Sequence, residues 1–499
     1  MIPKLTIPDG AWLPQLLIAA SLVPSVAVFL LGERHVKLGV ALTVGGGLAN
    51  VVLAGVLAFG VVQGGQYEWS AALLPGVDLV LRASTLSVLF VLLSAGLWLL
   101  TTIYAVRYLE DSPNRARFGG FFNLCIAATT GVALSGNLLT FLIFYELLTI
   151  ATYPLVAHKG DTEALAAARM YMGYTVTGGT LLLLGTGWMY VLTGELGFQE
   201  GGVLGQVPEG QGPALTAIFA LLVGGLAVKG VLVPVHGWLP RVMVAPTPVS
   251  ALLHAVAVVK AGVYGIARVV YDLFGVQVAA DLGALTPVAA AAGLTIVYGS
   301  IQALRQDSLK RLLAYSTVSQ VSYITLGIAT PTLMGATGGL AHLVHQGVMK
   351  VTLFYCAGNI AKTHGITAIR DLDGIGRRMP FTMGAFTVAA LGMIGVPPTA
   401  GFISKWHLGI GGLHAGDTWV VAVLVASTVL NAAYFLPVLH RAWLRPPSDA
   451  VQREGREADA ALLVPALVTG ALTLALGAFA MAWWSALPWA RTIAVEVFP

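Results

Sequence analysis

Charge is scarce in this chain, and cysteine almost absent. Only 10% of the 499 residues are Asp, Glu, Lys or Arg, while 57% are hydrophobic and the mean hydropathy is +0.83. A soluble domain carries about 25% charged residues, so this composition points to a membrane protein. Polar segments between the apolar stretches run to about 20 residues at most, too short to bury a core of their own. No soluble catalytic or nucleotide-binding domain is expected, so any redox chemistry would belong to partners and the chain is not expected to be catalytic alone. Cys125 and Cys356 stand singly in apolar surroundings, which excludes a disulfide framework and a Cys-x-x-Cys metal site. Both read as packing residues. The histidines lack the paired placement that haem would need, and no cofactor or metal motif is present. A net charge of +4 and a pI near 9.0 do not argue for nucleic acid, because the basic residues lie in short loops, where they report orientation. The first apolar stretch starts near Ala11, after Lys4, and has no small-residue cleavage signature before Glu33. It reads as a retained helix.

Long apolar runs are what the sequence does have. Stretches of about 20 such residues predict about fourteen transmembrane helices in an all-α polytopic membrane protein. They fall at 11–32, 38–63, 83–106, 118–135, 137–157, 169–193, 213–234, 246–270, 283–303, 309–328, 336–360, 382–412, 417–439 and 460–488. The basic residues test the count, since cytoplasmic loops collect them. Loops after the odd-numbered helices hold Arg34 and Lys37; Arg107, Arg115 and Arg117; Lys159 and Arg169; Arg241; Arg305, Lys310 and Arg311; Lys362, Arg370, Arg377 and Arg378; and Arg441, Arg445, Arg453 and Arg456. Outside the membrane interior, only Lys4, Arg82, Arg268 and Arg491 fall on the other side, whose loops carry Glu68, Asp78, Glu195, Glu200, Glu209, Asp281 and Asp417. Dropping one helix would destroy this alternation. Both termini are therefore expected outside the cytoplasm, with the chain in a bacterial or archaeal-type inner membrane.

Against that background, Glu146, Lys229, Lys260, Lys350 and Lys405 each interrupt an apolar run. A charge at mid-helix costs about 2.5 to 3.5 kcal/mol on insertion scales, so five together demand on the order of 10 kcal/mol of compensation. Glu146 is the one acid expected at mid-helix. Lys229 lies at a similar depth, and an ion pair between them would offset part of the desolvation each suffers. Structural glue is the competing reading, although a hydrophobic pair would stabilise at least as well.

Two runs carry prolines that would open a helical ladder: Lys229-Gly230-Val231-Leu232-Val233-Pro234-Val235-His236-Gly237-Trp238-Leu239-Pro240 and Gly395-Val396-Pro397-Pro398-Thr399-Ala400-Gly401-Phe402-Ile403-Ser404-Lys405. Matched broken helices in two halves point to an inverted repeat around an ion site, though membrane helices also carry Pro and Gly for packing. The predicted organisation is a three-helix segment over 1–117, a first five-helix repeat over 118–273, a second, inverted one over 283–440, and a loop with a last helix over 441–499.

Proton-carrying candidates extend from the breaks. Lys260 would accept a proton after Lys229, since opening and closing of an ion pair changes a buried lysine's proton affinity. His254 precedes it by six residues, either as a relay or as a packing residue. His342, Gln346 and Lys350 follow at four-residue spacing, which stacks them on one stripe, with His345 one position off it. Ser316, Thr317, Ser319, Gln320 and Tyr323 could hold water beside them, or simply bond helix to helix.

These stretches carry a resemblance. The Tyr145-Glu146-Leu147 helix, Val228 to Pro240, Ala245 to His254, Leu313-Ala314-Tyr315-Ser316-Thr317-Val318-Ser319-Gln320, and Gly401 to Lys405 resemble the antiporter-like subunits shared by respiratory complex I, membrane-bound hydrogenases and Mrp-type cation/proton antiporters. The resemblance covers nearly the whole chain. It implies a fourteen-helix fold and proton conduction coupled to a larger complex, with Glu146 and Lys229 as the family's ion pair, Lys260 and Lys350 as its central relay and Lys405 as its terminal lysine. Many relatives carry histidine where this chain has Gln346, and His345, one place earlier, is similar to the arrangement in the D-type subunit of Mrp antiporters. Complex I's middle antiporter-like subunit usually has glutamate where Lys405 stands, and its largest such subunit has a long lateral helix that is not seen before Pro499. Both departures lean towards the D-type Mrp subunit or a hydrogenase-type relative, with complex I still open. The expected function is proton translocation within a multisubunit membrane complex, driven by Na+/H+ antiport or by a redox module. Other membrane subunits, lipid, protons and a candidate sodium ion are the expected partners. The alternatives are a non-conducting scaffold or quinone-site neighbour and a self-sufficient transporter.

Overall fold

The computed structural model describes residues 12–74, 77–207, 210–447 and 457–498. Lys4, Glu209, Arg453 and Arg456, which entered the charge count above, lie outside them. Helices dominate the chain. In order they are α1 (Leu13–Leu31), α2 (Val36–Val62), α3 (Thr85–Tyr108), α4 (Arg115–Leu134), α5 (Leu138–Val156), α6 (Thr162–Thr193), α7 (Gly212–Lys229), α8 (Trp238–Arg241), α9 (Thr247–Ala255), α10 (Val258–Ala267), α11 (Val276–Asp281), α12 (Leu285–Leu304), α13 (Leu309–Ala329), α14 (Leu333–His364), α15 (Ile375–Arg378), α16 (Pro380–Ile394), α17 (Ala400–His414) and α18 (Thr418–Leu444), followed by Ala460–Ala478 and Ala486–Val497. Many are long and apolar enough to cross a bilayer, and this is an integral membrane protein.

Helix starts follow local chemistry. Asn137 caps α5 by accepting from the Thr140 amide at 2.8 Å, Asp161 caps α6 from Ala164 at 2.7 Å, and Thr332 caps α14 from Gly335 at 3.1 Å, each satisfying a donor the first turn leaves free. The two longest helices, α6 and α14, each run 32 residues and stop at a left-handed glycine, Gly194 and Gly365, where a side chain would be strained.

Both proline-bearing runs are broken where expected. The first unwinds between Lys229 and Trp238, the second between Ile394 and Ala400. The segment predicted as one helix over 246–270 is also interrupted: α9 ends at Ala255, α10 begins at Val258, and residues Arg268–Phe274 continue as a π-helix. No proline marks this third break. It coincides with close packing of α10 on the first, because a Cβ at Gly262 would stand 2.2 Å from the Gly230 nitrogen. A glycine is what lets the two backbones touch.

A hairpin replaces part of the loop expected after the second helix. Strands β1 (Tyr67–Leu74) and β2 (Val77–Ala83) pair antiparallel, with Tyr67 opposite Ala83 and Trp69 opposite Leu81. Its far edge bonds to the start of α5, through Gly136 N to Val80 O at 2.8 Å and Asn137 Nδ2 to Asp78 O at 2.8 Å.

Loop contacts sort into two groups. Arg82 bonds Phe198 O at 2.9 Å and Thr85 bonds Glu496 at 2.8 Å. In the other group, Glu33 accepts from the Ala116 amide at 2.8 Å, Arg107 pairs with Asp459 at 2.7 Å, Lys362 with Asp111 at 2.9 Å and Arg441 with Asp373 at 3.0 Å. Each contact joins helix ends or loops that the charge alternation puts on the same side. Asp111 is held below the usual carboxylate range by its hydrogen bond to Lys362.

Arg268 departs from the loop position expected for it. It is 3% exposed, pairs with Asp272 at 2.5 Å across one turn of the π-helix, and donates to Ser135 O at 2.7 Å. Asp272 is buried too, two residues from the end of the π-helix. Removing one partner from a buried pair leaves a charge without compensation and costs about 3 to 5 kcal/mol. Arg268→Ala should therefore lose about that much stability in a thermal melt in detergent, and adding Asp272→Leu should recover most of it. An Arg268→Ala protein that melts with the parent would contradict this account of the pair.

Candidate functional site

Lys229 closes α7 just before the first break, 1% exposed at its side chain. Its ammonium donates to the Tyr145 carbonyl at 2.5 Å, lies 3.3 Å from the centre of the Tyr145 ring, and reaches Glu146 Oε1 at 4.0 Å. The expected pair is therefore present, in a loose form, since 4.0 Å is longer than a hydrogen bond. Glu146 is 32% exposed at its side chain, and Oε1 is buried without a hydrogen-bond partner. Gly179 on α6 makes space for it, since a Cβ there would lie 2.4 Å from Oε1.

Lys260 sits in the first turn of α10, fully buried, and donates to Gln346 Oε1 on α14. Gln346, placed between His342 and Lys350 on the stripe, thus receives the first half of the chain. One turn away, Lys350 donates to Ser316 Oγ at 2.6 Å and to Leu313 O at 3.4 Å, both on α13. In the other direction His342 Nδ1 meets Ser404 Oγ at 2.8 Å and Nε2 meets Gln320 Oε1 at 3.2 Å.

Among the described residues, no carboxylate pairs with Lys405. Its ammonium donates to Met393 O and Ile394 O, each at 2.9 Å, and lies 5.2 Å from the Tyr323 ring centre. These carbonyls end α16, where a broken helix leaves acceptors without intrahelical donors and a partial negative charge. Pro397 and Pro398 in the following segment cannot supply amides to them. Met393 O also accepts from Gln320 Nε2 and Asn431 Nδ2, each at 3.2 Å. One freed carbonyl thereby gathers three helices around Lys405. At the first break Pro234 plays the corresponding part in the chain, and Trp238 Nε1 closes the turn on Val228 O at 2.8 Å.

His254 and His345 are brought near the stripe without joining it by direct bonds. Both are fully buried, and neither ring nitrogen of either has a hydrogen-bond partner. His254 packs at 4.7 Å on Phe354. Tyr145 OH, Ser250 Oγ, Tyr323 OH and Gln346 Nε2 are likewise buried and unbonded. Buried polar groups in such numbers are those that internal water ordinarily serves.

Residues the sequence did not single out include Ser404, one turn from Gly401 and facing α14, and Asn431 with Tyr434 on α18, which bond each other. Only their polarity within apolar runs signals them. Among the residues that were singled out, Ser319 bonds Ser300 of α12 at 2.9 Å, and Thr317 bonds back to Leu313 O at 2.9 Å. Those two serve helix packing.

Gln346 carries the join between the halves, and a bond to a charged group is worth roughly 1.5 to 3 kcal/mol. Gln346→Leu should cost about that in thermal stability in detergent, whereas Gln346→Glu, which keeps an acceptor for Lys260, should retain it. Equal melting of Gln346→Leu and the parent would show that Lys260 is held by something else.

Known proteins resemble this chain in sequence and in fold. Residues 135–431 match the family described as NADH:quinone oxidoreductase/Mrp antiporter, transmembrane. The chain is 36% identical to NADH-quinone oxidoreductase subunit N of Desulforudis audaxviator over 94% of its own length and 96% of that protein's. It is 27% identical to the D-type subunit of the Na(+)/H(+) antiporter of Bacillus subtilis, over 80% of each. Its fold superposes with a TM-score of 0.86 on a chain of the Mrp complex from Dietzia sp. DQ12-45-1b, at 25% identity, covering 97% of this chain and 98% of that one. This chain belongs to the NADH:quinone oxidoreductase/Mrp antiporter transmembrane family.

Proposed function

We propose that this chain is a proton-translocating, antiporter-like subunit of a multisubunit membrane complex. The observation that carries this is the run of buried ammonium groups through one bundle, Lys229, Lys260, Lys350 and Lys405, with Glu146 paired to the first and His342 between the last two. A scaffold would gain nothing from them, because apolar side chains of similar volume pack at least as well as buried charge. Each lysine is held by neutral oxygens or by one loosely placed carboxylate, so proton uptake and release need not break a tight ion pair.

Matching bonds and offsets in the two halves support an inverted repeat, and with it this reading. The amide of Leu138, at the start of α5, bonds Leu196 O beyond α6 at 2.8 Å, and the amide of Leu309, at the start of α13, bonds Thr367 O beyond α14 at 3.1 Å. The helices that follow, α6 and α14, have equal length and begin the same 171 positions apart. An odd number of crossings per unit turns the second copy over, which gives each side of the membrane one broken helix. In this scheme the first unit spans 118–273 and the second 283–440. Protons would enter through one, pass along the stripe on α14, and leave through the other. His254 and His345, unbonded and buried, would exchange protons with water beside the file.

Moving one proton against 100 mV costs about 2.3 kcal/mol, so a partner must supply energy. Glu146, partly open at the edge of the bundle, is where an adjoining subunit would meet the file. Likeness to the quinone oxidoreductase relative along nearly the whole chain supports a redox-driven complex of that kind. The likeness to the Bacillus antiporter relative, with His345 beside Gln346, supports Na+/H+ antiport as the second reading. In either, the basic loops would face the cytoplasm of a bacterial or archaeal-type cell, with both termini outside.

Coupled proton transport by the assembled complex in liposomes, followed with a pH-sensitive dye, tests the proposal. Lys229→Ala and Glu146→Gln should each slow it by about tenfold or more, which is roughly 1.4 kcal/mol of barrier, without loss of assembly. Parent rates in both assembled variants would identify a scaffold.

A further inference from the structure

Gln320 on α13, His342 on α14 and Ser404 on α17 are fully buried and bonded in a row. The row starts at a backbone atom. In an intact helix Met393 O would accept from the amide one turn on, but that residue is Pro397, which has no amide hydrogen. It takes Lys405 Nζ at 2.9 Å instead, together with Gln320 Nε2 and Asn431 Nδ2 at 3.2 Å each.

A carbonyl oxygen can only accept, so Met393 O fixes which end of the Gln320 amide faces it: Nε2 turns towards the carbonyl and Oε1 turns away. Oε1 then meets His342 Nε2 at 3.2 Å. An amide oxygen can only accept as well, so Nε2 has to carry the hydrogen of that bond. In the neutral ring this leaves Nδ1 bare. Facing Nδ1 is Ser404 Oγ at 2.8 Å, a hydroxyl with a second acceptor, Gly401 O, at 3.3 Å. Its single hydrogen can serve either one. The charged and titratable groups around the ring are Lys260, Lys405 and His345, with the Tyr323 ring at 5.1 Å. No carboxylate is among them, so hydrogen bonds decide which ring nitrogen holds the proton.

We propose that Gln320 and Ser404 are positioning residues for His342: Gln320 holds the neutral ring in its Nε2–H form, and the proton that His342 gains and loses is the one on Nδ1, handed over by the Ser404 hydroxyl. In uptake, a protonated water gives a proton to Oγ while the Oγ hydrogen passes to Nδ1. One O–H bond breaks at the water, one is exchanged at Oγ, and one N–H bond forms. The new hydroxyl hydrogen turns to Gly401 O, and Oγ accepts from the Nδ1–H of the charged ring. Release runs the same steps backwards. The hand-over rests on the transport reading above, whereas the tautomer does not depend on it.

Nitrogen NMR of the assembled complex in lipid reads the tautomer, because bare and protonated ring nitrogens resonate far apart. His342 is the one histidine in the sequence that follows alanine and precedes leucine, so labelling those three residue types assigns its ring without any substitution. The neutral ring should carry its proton on Nε2 in the parent. Gln320→Glu, which keeps an oxygen towards the ring, should preserve that form, while Gln320→Leu, which leaves only Ser404 Oγ to accept, should move the proton to Nδ1. A parent ring protonated on Nδ1, or a Gln320→Leu ring unchanged from the parent, overturns the assignment. For the hand-over, the assembled Ser404→Ala complex should transport protons about tenfold more slowly, the worth of one hydrogen bond to a charged group, and Ser404→Thr, which keeps the hydroxyl, should recover most of the rate. Parent rates in Ser404→Ala, or equal slowing by Ser404→Thr, overturn it. Lys229→Ala run in parallel separates the two claims. If it is slow while Ser404→Ala runs at the parent rate, the hand-over alone is wrong; if both run at the parent rate, the transport reading fails, and the spectrum still decides the tautomer.

Discussion

An ammonium group taken out of water loses several kcal/mol of solvation, even after the protein relaxes around it. The bundle has to give back oxygens in proportion. Most of the site can be understood from where those oxygens come from. Lys229 takes a backbone carbonyl, an aromatic face and a carboxylate 4.0 Å away. Lys260 takes an amide oxygen, Lys350 a hydroxyl and a carbonyl, and Lys405 two carbonyls. Neutral oxygens predominate, and this matters for function. A lysine locked to a carboxylate at short range would keep its proton, whereas one held by dipoles can release it without breaking an ion pair.

Broken helices are the means of supply. An intact helix spends its carbonyls on its own amides, so only an interruption offers them to a side chain. The second break gives Lys405 the carbonyls of Met393 and Ile394, and Gln320 and Asn431 converge on the first of these. The first break lets α10 press against the chain at Gly230, through Gly262, which stands two residues from Lys260. Small residues do similar work elsewhere: Gly178 faces Gly225, and Gly335 faces Gly411. Sub-van der Waals space for a Cβ at these places means that the helix spacing itself is set by glycine.

Much of this was legible beforehand, for reasons that differ from residue to residue. Charge inside an apolar run is costly enough to be conspicuous, so all five of Glu146, Lys229, Lys260, Lys350 and Lys405 stood out, as did the proline breaks. The third break did not: Val256 and Ala257 are ordinary helix residues, and nothing local tells that Gly262, further along, will meet the backbone at Gly230. Arg268 and Asp272 were missed as a pair because a basic residue near a helix end looks like a loop residue until Ser84, Ser135 and the Phe198 ring are seen to cover it. The hairpin was hidden in a segment between two much longer apolar runs. Ser404 and Asn431 are single polar residues on helices, and only the neighbours supplied by the fold distinguish them from packing residues.

The central claim is that these buried groups form one hydrated file and not a set of separately packed charges. A density map of the assembled complex in lipid, sharp enough to show ordered water, tests it most directly. The account predicts water between Glu146 and Lys229, beside His254 and His345, and onward from His342 to Lys405, each molecule within hydrogen-bonding reach of the next polar group. A dry interior, with apolar side chains closing the gaps between Lys229, Lys260, Lys350 and Lys405, would contradict it.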